Sequence, residues 1–100
     1  MDKSEVIDKI KKYRLLLNAH FDIEAVFLFG SYANDTYKDD SDIDVAIVVN
    51  NLKGDYFSTT PILWKLRRQI DDRIEPILIE RNKDKSGFLE EIKRSGIEIL

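Results

Sequence analysis

The sequence contains no cysteine, and only two of its 100 residues are proline and four are glycine. Without cysteine the chain can form no disulfide, thiolate nucleophile or cysteine-ligated zinc site, which suits a reducing compartment, and we predict a cytoplasmic protein. No apolar run approaches the roughly 20 residues that span a bilayer, and the first ten residues do not resemble a signal peptide, so no membrane association is expected. The scarcity of proline and glycine, with 43% hydrophobic residues, predicts a folded globule.

The length and net charge of the chain further limit the kinds of function that are expected. One hundred residues predict a single domain, residues 1–100, without an internal linker. The formal net charge is -3, which gives no overall attraction to phosphate polymers, so broad nucleic-acid binding is not expected. A small anionic substrate would therefore need a metal ion.

Three segments have the dense apolar composition of strands. Residues 23–29 are nearly all apolar and stop at Gly30, and residues 42–49 are rich in β-branched side chains. Residues 74–80 read as a third strand, and Pro76 favours an edge position because it lacks a backbone donor.

Three helices are predicted around these strands. Residues 2–18 carry apolar side chains at intervals of three and four, a second helix is expected with Pro61 in its first turn, and residues 84–95 form the last helix. In that last helix we expect Phe88, Leu89 and Ile92 to face inward.

Asp42 and Asp44 stand two residues apart at the start of the second strand. The two-residue period of a strand places both carboxylates on one face, where their charges repel unless a cation lies between them. Carboxylate oxygens with open positions suit magnesium or manganese better than zinc. A lone Asp-x-Asp is more often a pair of solvated charges at a turn, so the loop before it decides between the two interpretations.

Gly30 and Ser31 directly follow the first buried strand. Glycine there lets the backbone approach a phosphate, while the following amides and the serine hydroxyl donate to its oxygens. A short helix starting at Ser31 would add the partial positive charge of its N-terminus. By itself this pair is equally typical of a plain turn, so its position relative to Asp42 is the informative feature.

Together, GSYA at residues 30–33 and SDIDV at residues 41–45 closely resemble the signature of the DNA polymerase β-like nucleotidyltransferase superfamily. Within it, the chain is similar to the minimal nucleotidyltransferases of bacteria and archaea over almost its whole length. The resemblance implies an α/β (α+β) fold with a mixed β-sheet flanked by helices. It also implies that Gly30, Ser31 and Ser41 bind the nucleotide, and that Asp42 and Asp44 hold Mg²⁺ or Mn²⁺.

The resemblance further implies a third carboxylate on a later strand, which binds metal and takes the proton of the attacking hydroxyl. Glu75 is the candidate for this catalytic residue, with Glu80 as a poorer alternative at the far end of the strand. Relatives most often carry aspartate at this place. Many also carry a basic residue and then glycine where this chain has Asn34 and Asp35.

Two functions of different classes follow from the resemblance. One is a transferase that moves a nucleoside monophosphate, AMP if the substrate is ATP, onto a hydroxyl of a small helical HEPN-type protein, as the antitoxin of a toxin-antitoxin pair. The other is a binding module with vestigial carboxylates that neutralises its helical partner by occlusion. Transfer to a small molecule or an RNA end is a third reading, and homo-oligomerisation stays open.

Aromatic residues outside the strands raise the question of where a partner binds. Five of them are expected to contribute to an exposed apolar patch near the open side of the site: Tyr32, Tyr37, Tyr56, Phe57 and Trp64. Tyr32 and Tyr37 border the proposed phosphate loop, where either can stack on a nucleotide base or cover the edge of the core.

Overall fold

The computed structural model describes residues 2–52, 54–84 and 86–100. Its helices are α1 (Lys3–Leu17), α2 (Tyr56–Arg67) and α3 (Phe88–Ser95), with a short 3-10 helix at Arg81–Lys83. The strands are β1 (Ile23–Phe29), β2 (Ile43–Val49), β3 (Ile74–Glu80) and β4 (Ile97–Glu98). No helix within the described ranges has the length and apolar character needed to cross a membrane.

The four strands form one mixed sheet in the order β3-β2-β1-β4. β1 pairs antiparallel with both β2 and β4, whereas β2 and β3 run parallel. Parallel neighbours need a crossover connection, and α2 provides it. β3 lies at the edge of the sheet, as Pro76 predicts. The predicted mixed sheet flanked by helices is confirmed.

Each face of the sheet carries its own hydrophobic cluster. The face covered by α1 and α2 buries 16 residues, including Val6, Tyr13, Leu28, Ile47 and Leu63. The face covered by α3 buries fewer residues: Ala25, Phe27, Ala46, Val48, Ile79, Leu89 and Ile92. β1 and β2 consist of dense apolar runs because both strands are covered on both faces.

The helix starts differ from the sequence predictions. α2 begins at Tyr56, five residues before Pro61, because the Asp55 carboxylate accepts a hydrogen bond from the amide of Ser58 at 2.8 Å and caps the helix there. Pro61 is therefore inside the helix, on its exposed side, and the expectation of a first-turn proline was wrong.

α3 begins at Phe88 rather than at residue 84. Asp84 lies before the helix, and its carboxylate accepts from the amide of Leu89 at 2.8 Å. Of the predicted range 84–95, residue 85 lies outside the described residues. The expectation that Leu89 and Ile92 are buried is confirmed.

Candidate active site

Three residues form a row across the sheet at the end where β1 stops and β2 and β3 begin. Asp44 is the register partner of Phe29 on β1 and of Glu75 on β3. Cross-strand partners project from the same face, and Phe29 packs with the cluster under α3, so Asp44 and Glu75 share that face. Two of the three predicted catalytic carboxylates are therefore neighbours on adjacent strands.

The carboxylates at this end of the sheet carry like charges that repel one another. Burial, and then the nearby charges of Asp42 and Glu75, raise the pKa of Asp44 above its ordinary value. Asp42 lies exposed just before β2 begins, whereas Asp44 and Glu75 are partly buried. The structure thus brings Asp42 and Glu75 within electrostatic reach of Asp44, and the catalytic roles of the three residues stay a prediction.

Gly30 is packed directly against this carboxylate group. Its φ is +74°, and a Cβ added there would stand 2.2 Å from Oδ2 of Asp44. A side chain at position 30 would therefore displace the carboxylate as well as adopt an unfavourable backbone conformation. The sequence predicts a glycine that lets a phosphate approach, and the neighbour it accommodates in the structure is Asp44.

The chain after Gly30 makes one helical turn. The carbonyl of Gly30 accepts from the amides of Ala33 and Asn34, both at 3.1 Å, and the carbonyl of Ser31 accepts from Thr36 at 3.0 Å. These bonds do not use the amide of Ser31, which belongs to the proposed nucleotide-binding set.

Asp35, which departs from the family pattern, adopts a backbone conformation that glycine favours. Asp35 has a φ of +59°, the left-handed conformation that glycine adopts most readily and that aspartate tolerates. Its carboxylate pairs with Lys3 of α1 at 2.9 Å, so the side chain is directed to the first helix.

Ser41 closes the last turn before Asp42. Its hydroxyl accepts from the amide of Lys38 at 2.7 Å, and its own amide donates to the carbonyl of Lys38 at 3.1 Å. The hydroxyl proton takes no part in these bonds and is the group that a phosphate would bind.

The donor set at the end of the sheet fits a hard divalent cation. Its ligands would be carboxylate oxygens, and a positive charge would offset both the burial and the repulsion that raise the pKa of Asp44. Across residues 2–52, 54–84 and 86–100, no group of three or more His, Cys, Asp or Glu side chains is arranged to hold a metal ion unaided. Remaining ligands would come from substrate phosphates and water, as is usual for magnesium.

The aromatic residues do not form the predicted patch beside these carboxylates. Tyr32 is fully buried and stacks on Tyr37 with ring centroids 4.4 Å apart, so it belongs to the core under the loop. Phe57 and Trp64 are 86% and 39% exposed, but α2 carries them on the other face of the sheet. The side chain of Tyr56 lies outside what the structure describes.

A groove of about 530 Å³ runs along β3 beyond Glu75. Ile77 and Ile79 share the face of Glu75 by the period of the strand, and Phe88 of α3 lines the groove with them. No local pattern in the sequence indicates this groove, because its size depends on how far α3 covers the sheet.

Fold and sequence together define the class of this protein. Residues 8–100 match the family described as polymerase beta, nucleotidyltransferase, and the chain belongs to that family. It is therefore a nucleotidyltransferase. The chain is 28% identical over 99 residues to a Methanocaldococcus jannaschii protein named "Putative protein adenylyltransferase MJ0141", a match that covers 95% of this chain and 99% of the relative.

Solved structures with the same fold include three informative ones. A structure described as a "putative nucleotidyltransferase from Sulfolobus solfataricus" matches with a TM-score of 0.71 at 21% identity, covering 96% of this chain and 80% of that one. A chain of a toxin-antitoxin complex with AMP-PNP gives 0.68 at 22%, covering 94% and 72%. A chain of the Shewanella oneidensis complex of a tri-AMPylated HEPN toxin and its MNT antitoxin gives 0.63 at 19%, covering 98% and 71%.

Proposed function

We propose that this chain is a metal-dependent protein adenylyltransferase, which moves AMP from ATP onto a hydroxyl of a small helical HEPN-type partner and acts as its antitoxin. The observation that carries the proposal is the position of Asp44, which packs against Gly30, is the register partner of Glu75 and lies two residues after Asp42. Crowded carboxylates are unfavourable without a cation, and nucleotidyl transfer uses a cation at the phosphate oxygens.

The position of each residue in the site determines its proposed role. Gly30, Ser31 and Ser41 lie on the loop that leads into Asp42, and they bind the triphosphate through backbone amides and hydroxyls. Asp42 and Asp44, with Glu75, are the residues that would hold Mg²⁺ or Mn²⁺, which neutralises charge on the phosphate oxygens when bound.

Glu75 accepts the proton of the attacking hydroxyl. The hydroxyl oxygen forms a bond to the α-phosphorus, the bond from that phosphorus to the bridging oxygen of pyrophosphate breaks, and pyrophosphate leaves in line. The extra methylene of glutamate, relative to aspartate, gives this base more reach from the edge strand.

A protein acceptor is supported by two observations. The relative from Methanocaldococcus jannaschii carries the name of a protein adenylyltransferase and matches over 99% of its length. In addition, a groove follows Glu75 along β3, and its lining combines the apolar Ile77 and Phe88 with charged side chains such as Lys83, a mixture on which a protein segment can bind.

Labelled ATP tests this function directly. The tagged chain is incubated with [α-³²P]ATP, Mg²⁺ and lysate of its own host, alongside Asp44→Asn as the matched control. We expect a labelled protein other than the tagged chain with the parent, and none with the variant. The same tag is then used to purify bound proteins.

Three other results are informative. A helical partner recovered without any label would favour neutralisation by occlusion. Label on a small molecule would move the acceptor to another class. Recovery of the tagged chain alone across several growth conditions, with Asp44→Asn as a substrate trap, would contradict a protein partner.

A further inference from the structure

We propose that Arg73, which precedes β3, is a positioning residue that fixes Asp42 relative to Asp44 and Glu75. The proposal rests on the proposed function, because it concerns the placement of a carboxylate in that site. It is based on two hydrogen bonds that Arg73 makes on the two sides of Asp42 along the chain.

The first bond uses the side chain of Arg73. Its Nη1 donates to the carbonyl of Asp39 at 3.1 Å, three residues before Asp42. This bond ties the Lys38–Ser41 turn to the start of β3, across 34 positions of sequence.

The second bond uses the backbone of Arg73. Its carbonyl accepts from the amide of Ile43 at 2.8 Å, one residue after Asp42. Asp42 is therefore held between two contacts to a single residue, and that residue lies two positions before Glu75. The arrangement couples the position of Asp42 to that of the proposed base.

The guanidinium is itself held in one orientation by Asp71. Nε donates to Oδ1 of Asp71 at 3.2 Å and Nη2 donates to Oδ2 at 3.1 Å, so the pair is bidentate. Asp71 also accepts from Nζ of Lys9 on α1 at 2.7 Å, which anchors the pair to the first helix. The remaining nitrogen, Nη1, is then directed at the carbonyl of Asp39.

Lysine cannot reproduce this arrangement. One ammonium group has no rigid fork, so it cannot contact both oxygens of Asp71 and the carbonyl of Asp39 in fixed directions. Loss of the side chain leaves the backbone bond to Ile43 intact, and the Arg73 side chain is 36% exposed, so we expect the variants to fold with reduced stability, because Asp71 loses its bidentate partner. The expected defect is a mobile Asp42 in a folded protein.

Arg73→Gln and Arg73→Lys test this role, with Arg81→Gln as the matched control. Arg81 also pairs with a carboxylate, that of Glu24, and its side chain is 38% exposed, but it follows the other end of β3. Two quantities are measured in each folded variant: the Kd for Mn²⁺, and the exchange rate of the Ser41 amide, whose bond to the carbonyl of Lys38 closes the turn before Asp42.

We expect both Arg73 variants to bind Mn²⁺ about tenfold or more weakly than the parent, the scale typical of groups that orient metal ligands. We also expect their Ser41 amide to exchange faster, while Arg81→Gln matches the parent in both measurements. Equal behaviour of Arg73→Gln and Arg81→Gln would overturn the proposal, as would parent-like behaviour of Arg73→Lys. If the parent neither binds Mn²⁺ nor transfers nucleotide, the proposed function fails, and the Ser41 exchange rate alone decides the role of Arg73.

Discussion

Asp71 links α1 to the start of β3, and replacing it with asparagine should cost measurable stability. The side chain is 10% exposed and accepts hydrogen bonds from Lys9, from the guanidinium of Arg73 and, at 2.8 Å, from the backbone amide of Arg73. Bonds to charged groups contribute about 1.5–3 kcal/mol each when buried, but the Lys9 and Arg73 side chains are 32% and 36% exposed and regain water. We therefore expect a net loss of about 2 kcal/mol at neutral pH.

The pH dependence of this loss follows from the titration of Asp71. Hydrogen bonds from Arg73 and then from Lys9 hold the pKa of Asp71 well below its ordinary value, despite its burial. Because the folded-state pKa is the lower one, the stabilisation is fully present above the unfolded pKa of about 3.9 and is lost as pH falls toward the folded value. Within that window the parent loses about 1.36 kcal/mol per pH unit through this group, and Asp71→Asn does not.

Urea unfolding of the parent and Asp71→Asn at pH 6 and pH 3 measures both effects. The difference in unfolding free energy should be about 2 kcal/mol at pH 6 and smaller by about 1 kcal/mol at pH 3. Asp35→Asn serves as the control, because Asp35 pairs with Lys3 but is 72% exposed, and we expect less than about 0.5 kcal/mol there. A difference for Asp71→Asn that is the same at both pH values would refute the reasoning, as would a loss no larger than that of the control.

Three further predictions concern the site. Asp42→Asn and Asp44→Asn should each abolish transfer without lowering the metal-free melting temperature, because each removes one of several repelling charges; a much lower melt would make them structural. Glu75→Gln should slow transfer by about a hundredfold or more while nucleotide affinity, measured by calorimetry, falls much less; unchanged transfer would shift the role to another acid. Gly30→Ala should lower stability by at least about 1–2 kcal/mol in thermal melts, the cost of a left-handed conformation, and weaken Mn²⁺ binding by displacing the Asp44 carboxylate; a parent-like Mn²⁺ affinity would show that the carboxylate moves without consequence.

Local patterns were sufficient to predict most of the fold. The strands β1, β2 and β3 were recognisable as apolar runs, because strands that are covered on both faces consist almost entirely of apolar residues. Pro76 identified β3 as the edge strand. The element that the sequence did not predict is β4, because its two residues, Ile97 and Glu98, are too few to show a strand period. Its pairing with β1 depends on the chain returning across the sheet, which the local sequence does not encode.

The candidate site was predictable only where its residues are close in sequence. Asp42 and Asp44 follow from the strand period and Glu75 from family resemblance. The structure places Asp42 and Glu75 within electrostatic reach of Asp44, and the roles of all three stay predictions. Arg73 was missed because its bond to Asp39 spans 34 positions and leaves no periodic signal. Tyr32 could not be assigned for a similar reason, since its burial depends on the loop folding back onto α1 and α2.

The free edge of the sheet at β3 has backbone groups that bear on whether another strand can pair there. Backbone groups alternate in direction along a strand, and the carbonyl of Ile74 faces outward, where it accepts from Arg67 at 3.0 Å. Pro76 also faces outward by this alternation and has no amide hydrogen to offer. The half of the edge beside Asp44 and Glu75 is therefore a poor template for a strand of another chain.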